Sequence, residues 1–123
     1  MDKKIKGSIC MKNEKIFQAE LIKQIKSELP GCFVLKNDGS NIPQGFPDLL
    51  VLYGNRWGAL ECKRDTVYLN DPTVLEPNQE YYVRLLNVMS FARFISPENK
   101  REVLDELYTS LGFDRPTRIS GSK

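Results

Sequence analysis

Apolar and polar positions recur along the chain with two different periods, which divide it into helices and strands. Helical spacing predicts three helices, at residues 13–29, 78–89 and 97–111. Short apolar runs predict four strands, at residues 32–37, 46–53, 57–64 and 91–96. Pro30-Gly31 ends the first helix, and Ser96-Pro97-Glu98 has the composition of a helix start for the last one. The predicted order is helix, strand, strand, strand, helix, strand, helix.

This order predicts an α/β fold in which helices flank a mixed central sheet. The 123 residues suit a single domain. We expect its core at about residues 13–112, between a basic N-terminal segment at 1–12 and a loose tail at 113–123. Residues 65–77 form a long predicted loop, and loops of this length in a compact domain are usually functional or disordered.

Charged residues interrupt the apolar pattern of the second and third predicted strands. Gly54-Asn55 between these strands favours a tight two-residue turn, because both residue types tolerate a positive φ. The pairing that follows from such a turn places Asp48 directly opposite Glu61. Lys63 lies two residues beyond Glu61 and therefore points to the same face of the sheet. The hairpin is predicted to bring two carboxylates and a lysine together.

Two neighbouring carboxylates repel each other unless one is protonated or a cation lies between them. A hard divalent ion with oxygen ligands, Mg²⁺ or Mn²⁺, meets this need. Lys63 would then hold a water or neutralise charge on a phosphate. The alternative is a surface hairpin whose charges face water. The residues between Asp48 and Glu61 favour the ion site, because they are apolar on both faces, as in a covered sheet.

Two predicted helices each carry a polar residue on the stripe that faces the core. On the first helix, Glu14 lies near the centre line of the apolar stripe, whereas Glu20 lies on the opposite side. Gln79 is aligned in the same way with the apolar stripe of the second helix. Each residue also has a plainer interpretation. Glu14 would be a first-turn acid that interacts with the helix dipole, and Gln79 would be a helix-capping residue.

Composition removes several classes of chemistry. The chain has no histidine, which excludes the commonest general base, the commonest zinc ligand and every histidine-activated nucleophile. The three cysteines lack metal-type spacing and are expected to be reduced thiols in a cytoplasmic protein. No apolar run is long enough to span a membrane. A net charge of +2 permits a nucleic-acid partner without arguing for one.

The residues singled out so far are Glu14, Pro47-Asp48, Glu61-Cys62-Lys63 and Gln79. Their order resembles the PD-(D/E)XK nuclease superfamily, which includes type II restriction enzymes and archaeal Holliday-junction resolvases. The VRR-NUC group is the most similar, with E-x-x-x-Q in the first helix, then G-x-P-D, then E-x-K, then Q at the start of the next helix. Gln18 completes the first of these motifs and Gly45 the second. The resemblance covers residues 14–96 and implies a restriction-endonuclease-like core.

The resemblance also implies an activity: an endonuclease that hydrolyses DNA phosphodiester bonds with Mg²⁺, for which Mn²⁺ substitutes. Its metal ligands would be Asp48, Glu61, the main-chain carbonyl of Cys62, and Glu14 directly or through water. Lys63 would orient the attacking water, and Gln79 would steady Lys63 or a DNA phosphate. Branched or junction DNA is the expected substrate, because so short a chain has little room for a base-reading module. Symmetrical cutting of two strands would call for a homodimer.

Two other classes of function compete with this one. A non-catalytic DNA-binding subunit would retain the fold, but it would not need the acidic residues and Lys63 together. An enzyme acting on a small metabolite, such as an isomerase with a lysine base, would use the same carboxylates. The lack of a glycine-rich phosphate loop or dinucleotide fingerprint disfavours that enzyme.

Overall fold

The computed structural model describes the backbone of residues 2–113 and the side chains of residues 14–113. Its α-helices are α1 (Asp2–Glu28), α2 (Gln79–Met89) and α3 (Lys100–Ser110). Its strands are β1 (Phe33–Lys36), β2 (Leu49–Tyr53), β3 (Arg56–Cys62) and β4 (Ala92–Ile95). Among the described residues, no helix combines the length and the apolar character needed to cross a membrane.

The four strands form one sheet in the order β1-β2-β3-β4. The first three strands pair antiparallel, whereas β4 lies parallel to β3. A parallel pair requires a crossover connection, and the segment that contains α2 supplies it. The protein is thus a mixed α/β structure with a four-stranded sheet, and the predicted fold class is confirmed at this level.

Helices pack against both faces of the sheet. On one face, Leu21 of α1 and Leu104 of α3 belong to the same buried cluster as Leu60 of β3. On the other face, Val83 of α2 packs with Ala59, the neighbour of Leu60 on the strand. The predicted core-facing stripe of α1 is confirmed, because its members are all buried or half-buried: Phe17, Leu21, Ile22, Ile25 and Leu29.

Two helix starts differ from the prediction. α1 begins at Asp2 rather than at residue 13, because the preceding segment contains no proline and is rich in lysine, which has good helix propensity. α3 begins at Lys100 rather than at Pro97. The reason is local: Ser96 donates both its N–H and its hydroxyl to Asn99 Oδ1, at 2.8 and 3.3 Å, and Asn99 becomes the N-cap.

The predicted loop and chain ends need further qualification. The segment 65–77 contains two short 3₁₀ turns, Val67–Leu69 and Pro72–Val74, and so has local structure of its own. Phe113, predicted to begin the loose tail, packs its ring against Tyr53 and Tyr108, with centroids 5.8 and 6.3 Å apart. The remaining tail residues 114–123 and the side chains of the predicted basic segment 1–12 lie outside the described residues.

Candidate functional site

The β2–β3 hairpin has the register that its turn sequence predicts. Gly54 has a φ of 62°, a conformation that glycine adopts without strain, and Tyr53 pairs with Arg56 across the turn. The ladder ends at the pair Leu49–Leu60. Asp48 and Glu61 come one residue beyond this pair, so the structure places them side by side at one end of the sheet.

Asp48 is half-buried and held by main-chain hydrogen bonds. Its Oδ2 accepts the Cys62 N–H at 2.8 Å, and its main-chain carbonyl accepts the Asn37 N–H at 2.7 Å. Burial raises the pKa of the Asp48 carboxyl, and the Cys62 N–H and the charge of Lys63 oppose that shift only in part. Asp48 is therefore a fixed carboxylate whose charge is not fully compensated by the protein.

Glu61 is the most strongly perturbed carboxyl of the site, with only 3% of its surface exposed. Its Oε2 accepts a hydrogen bond from Gln79 Nε2 at 2.8 Å. Its Oε1 is the one buried side-chain oxygen or nitrogen, among the side chains of residues 14–113, that lacks a hydrogen-bond partner. Burial, followed by the charge of Asp48, raises the pKa of Glu61 to about 9. Burial and the neighbouring carboxylates thus outweigh the charge of Lys63 and favour the protonated form of Glu61.

Gln79 connects Glu61 to Lys63. It is the first residue of α2 and is buried, as its position on the apolar stripe predicts. Its Oε1 accepts hydrogen bonds from Lys63 Nζ at 2.7 Å and from the Glu76 N–H at 3.1 Å. Because its Nε2 faces Glu61, one amide orients an ammonium and a carboxyl at once. A cap role alone does not account for these side-chain contacts.

Glu14 approaches the same sheet end from α1. Its carboxylate is half-buried and accepts the Arg64 N–H, and burial raises its pKa against the opposing charge of Lys63. It lines a cleft of about 280 Å³, here called the carboxylate cleft. The cleft is lined by Glu14, Lys15, Gln18, Lys36, Asn37, Asp48 and Cys62. Glu20 is exposed and lines a different cleft, so the two glutamates lie on different sides of α1 as predicted.

Cys62 contributes through its backbone and through a buried thiol. Its N–H donates to Asp48 Oδ2. Burial raises the pKa of its thiol, and a hydrogen bond with the Gln18 side chain offsets that rise only in part. Cys62 and Cys32 are free thiols, and the side chain of the third cysteine, Cys10, lies outside the described residues. Gln18, the second residue of the E-x-x-x-Q motif, therefore contacts the strand that carries Glu61. The predicted role of the Cys62 carbonyl as a metal ligand stays a prediction.

Asn37 belongs to the site but was not predicted from the sequence. Its side-chain amide donates to the carbonyls of Phe46 and Pro47, both at 3.2 Å, directly before Asp48 in the chain. The available signal was an asparagine at a strand end followed by Asp38-Gly39, a composition typical of a turn. That signal predicts the turn but not the distant carbonyls that the side chain reaches.

Asp48 and Glu61 are the residues that could hold a hard divalent cation. Both offer carboxylate oxygens, which Mg²⁺ and Mn²⁺ prefer, and Oε1 of Glu61 is buried without a hydrogen-bond partner. Within the part of the chain whose side chains are described, no three or more His, Cys, Asp or Glu residues come together as a metal-holding group. Glu14 accordingly lines the cleft without completing such a group, and its predicted role as a ligand stays a prediction.

Comparisons with protein-family models, with curated proteins and with solved structures find no match for this chain. A function must therefore be argued from the site itself and from the order of its motifs.

Proposed function

We propose that the protein is a Mg²⁺-dependent deoxyribonuclease of the PD-(D/E)XK type, most similar to the VRR-NUC group. One observation carries the proposal: the buried Glu61 has an unpartnered oxygen beside Asp48, while its other oxygen is linked through Gln79 to the Lys63 ammonium. Two carboxylates and a lysine in this arrangement suit an ion and a phosphate. The mixed sheet flanked by helices is compatible with a restriction-endonuclease-like core.

Asp48 and Glu61 would hold the ion, with the Cys62 carbonyl and Glu14 as the further candidate ligands. Bound Mg²⁺ would polarise a phosphodiester and lower the pKa of a nearby water, and Mn²⁺ would substitute for it. The raised pKa values of Asp48 and Glu61 support this assignment, because a divalent charge would offset the effect of burial, the main cause of both shifts.

Lys63 would stabilise negative charge that develops on the phosphate. Its ammonium is held at 2.7 Å from Gln79 Oε1, which restricts where the charge can point. Gln79 would therefore be a positioning residue for Lys63. Lys15 and Lys36 on the same cleft add positive charge where a DNA backbone would approach.

DNA is the proposed partner, and branched or junction DNA the proposed substrate. The described chain forms one small sheet with its helices and has no separate element placed to read base edges. Symmetrical cleavage of a junction would need two sites related by a twofold axis, and so a homodimer.

A cleavage assay on duplex, flap, single-stranded and four-way-junction DNA with Mg²⁺ tests the proposal. Binding in Ca²⁺ is measured on the same substrates, because the looser coordination of Ca²⁺ should occupy the site without supporting hydrolysis. Lys63→Ala should lose most cleavage while retaining Ca²⁺-dependent binding. Lys63→Arg should restore little, because a planar guanidinium cannot replace the compact ammonium held by Gln79.

The outcomes separate the competing functions. If the wild type cleaves DNA and Lys63→Ala cleaves it at a near wild-type rate, the proposed role of Lys63 is contradicted. Tight DNA binding without cleavage of any substrate, in Mg²⁺ or Mn²⁺, would identify a non-catalytic DNA-binding subunit instead.

A further inference from the structure

Asn37 closes the loop that leads from β1 to Asp48. It is half-buried at the end of β1, and its side chain holds the Phe46 and Pro47 carbonyls at 3.2 Å. Its own N–H donates to the Asp48 carbonyl at 2.7 Å, and its Oδ1 accepts the Gly39 N–H at 2.8 Å. One residue thereby fixes both the first turn of the loop and the three consecutive carbonyls at its end.

The closed loop is also seated against the start of α2. Gly45 has a φ of 92°, and a Cβ at this position would lie 2.5 Å from the Pro77 carbonyl oxygen and 2.8 Å from Asn78 atoms. The backbone of the loop therefore touches the residues immediately before Gln79. The loop that leads to Asp48 and the start of the helix that carries Gln79 are therefore in contact at Gly45.

We propose that Asn37 is a positioning residue for Asp48, an inference that rests on the proposed nuclease function of the same site. By holding the Phe46 and Pro47 carbonyls, the Asn37 amide sets the direction in which the chain enters β2. That direction carries the Asp48 carboxylate to the Cys62 N–H, at 2.8 Å, beside Glu61. Without the amide donors, the main-chain bond from the Asn37 N–H to the Asp48 carbonyl would remain, but the chain before Asp48 would lose its restraint and the carboxylate would shift from this position.

Two variants and a matched control test the inference. Asn37→Ala removes the whole side chain, whereas Asn37→Asp keeps an acceptor for the Gly39 N–H but removes both donors. Asp38→Ala is the control, because Asp38 is exposed in the same loop and its carboxylate accepts the Ser40 N–H within the loop. Both Asn37 variants should lower the cleavage rate by about 100-fold, the cost of misplacing a reacting group by about 1 Å.

A second readout needs neither metal nor DNA. Amide hydrogen exchange at Cys62 in the metal-free protein reports the bond to Asp48, and both Asn37 variants should accelerate it by about tenfold. Exchange at Val51 and Leu60, inside the hairpin, should not change. The Mg²⁺ concentration for half-maximal activity should also rise by about tenfold or more. Asp38→Ala should match the wild type in every measurement.

Two results would overturn the inference. The first is wild-type exchange at Cys62 together with wild-type cleavage in Asn37→Ala. The second is equal acceleration of exchange at Cys62, Val51 and Leu60, which would show that Asn37 only stabilises the fold. If the wild type cuts no DNA but Cys62 exchange accelerates selectively, the nuclease function fails while the positioning of Asp48 by Asn37 stands.

Discussion

Glu28 and Glu61 are two glutamates whose surroundings shift their pKa values in opposite directions. Glu28, the last residue of α1, meets the Arg101 guanidinium with both carboxylate oxygens at 3.0 Å and the Tyr108 hydroxyl at 2.8 Å. Burial acts to raise its pKa, but the hydrogen bonds from Arg101, Gln24 and Tyr108 outweigh burial and lower the pKa to about 2. Glu61 has one hydrogen-bond donor, and its pKa rises to about 9.

The difference separates a carboxylate that stabilises the fold from one that we propose as a cation ligand. Glu28 joins α1 to α3 through a satisfied, charge-assisted pair. Glu61 is more deeply buried yet is left with an unpartnered oxygen, a costly arrangement for the protein alone. Such a cost is expected where an external cation completes the site, and strongly perturbed carboxyls are frequent at functional sites.

The largest expected effect comes from removing either carboxylate of the pair. Asp48→Ala and Glu61→Ala should each reduce Mg²⁺-dependent cleavage by more than about 100-fold, the upper end of the loss caused by removing support around a metal ligand. Without Mg²⁺ the folds should remain intact or become slightly more stable, because the substitutions relieve carboxylate repulsion. Single-turnover cleavage and thermal unfolding of each variant measure the two effects. Retained cleavage in both variants would refute the site.

A smaller effect separates two glutamates of α1. Glu14→Gln should reduce cleavage by about tenfold or more, since Glu14 lines the carboxylate cleft, whereas Glu20→Gln should be nearly silent. Single-turnover rates for the two variants provide the comparison. The reverse ranking would mean that the chemistry takes place on the other side of α1.

Glu28 should show the opposite behaviour to Glu61. Glu28→Gln should destabilise the protein by about 1–2 kcal/mol, because charge-assisted hydrogen bonds are lost at a partly exposed site. The cleavage rate of the folded protein should not change. Glu80→Gln is a matched control, since its ion pair with Arg84 is exposed on both sides and should contribute less than about 0.5 kcal/mol. Denaturant unfolding measures the free energy of unfolding of both variants. Equal losses in Glu28→Gln and Glu80→Gln would show that the Glu28 contacts stabilise the fold no more than an exposed ion pair.

The pH dependence of stability should differ in sign between the two glutamates. In the metal-free protein, Glu61 has a folded pKa of about 9 against an ordinary value of 4.5. Its contribution to folding stability is therefore full below pH 4.5 and is lost as pH rises toward 9. The Glu28 contribution is present above pH 4.5 and is lost as pH falls toward 2. Glu61→Gln should therefore flatten stability between pH 5 and 9, as measured by urea unfolding. An unchanged slope would contradict the raised pKa.

Much of the fold could be predicted from local sequence patterns. Gly54-Asn55 determines the hairpin register, and the period of apolar residues identifies the buried stripe of α1. Helix starts were less accessible. Ser96-Pro97-Glu98 has the composition of a helix start, but the Ser96 N–H and hydroxyl donate to Asn99 Oδ1, and Asn99 becomes the N-cap. Sequence patterns do not rank such alternatives.

The site was predictable where residues act through strand register or helix spacing. This holds for the neighbouring positions of Asp48 and Glu61, and for the inward placement of Glu14 and Gln79. Asn37 was missed because its partners lie across a loop whose path depends on tertiary contacts. The unpartnered oxygen of Glu61 was equally inaccessible, since it depends on how many donors surround a buried group.

Thermal unfolding with increasing Mg²⁺ tests the central claim, that Asp48 and Glu61 form a cation site, most directly. The wild type should gain about 2.7 kcal/mol of stability when Mg²⁺ reaches 100 times its dissociation constant. Asp48→Ala and Glu61→Ala should gain little, while Glu28→Gln should gain as much as the wild type from its lower starting stability. Equal Mg²⁺-dependent gains in the wild type, Asp48→Ala and Glu61→Ala would contradict the claim.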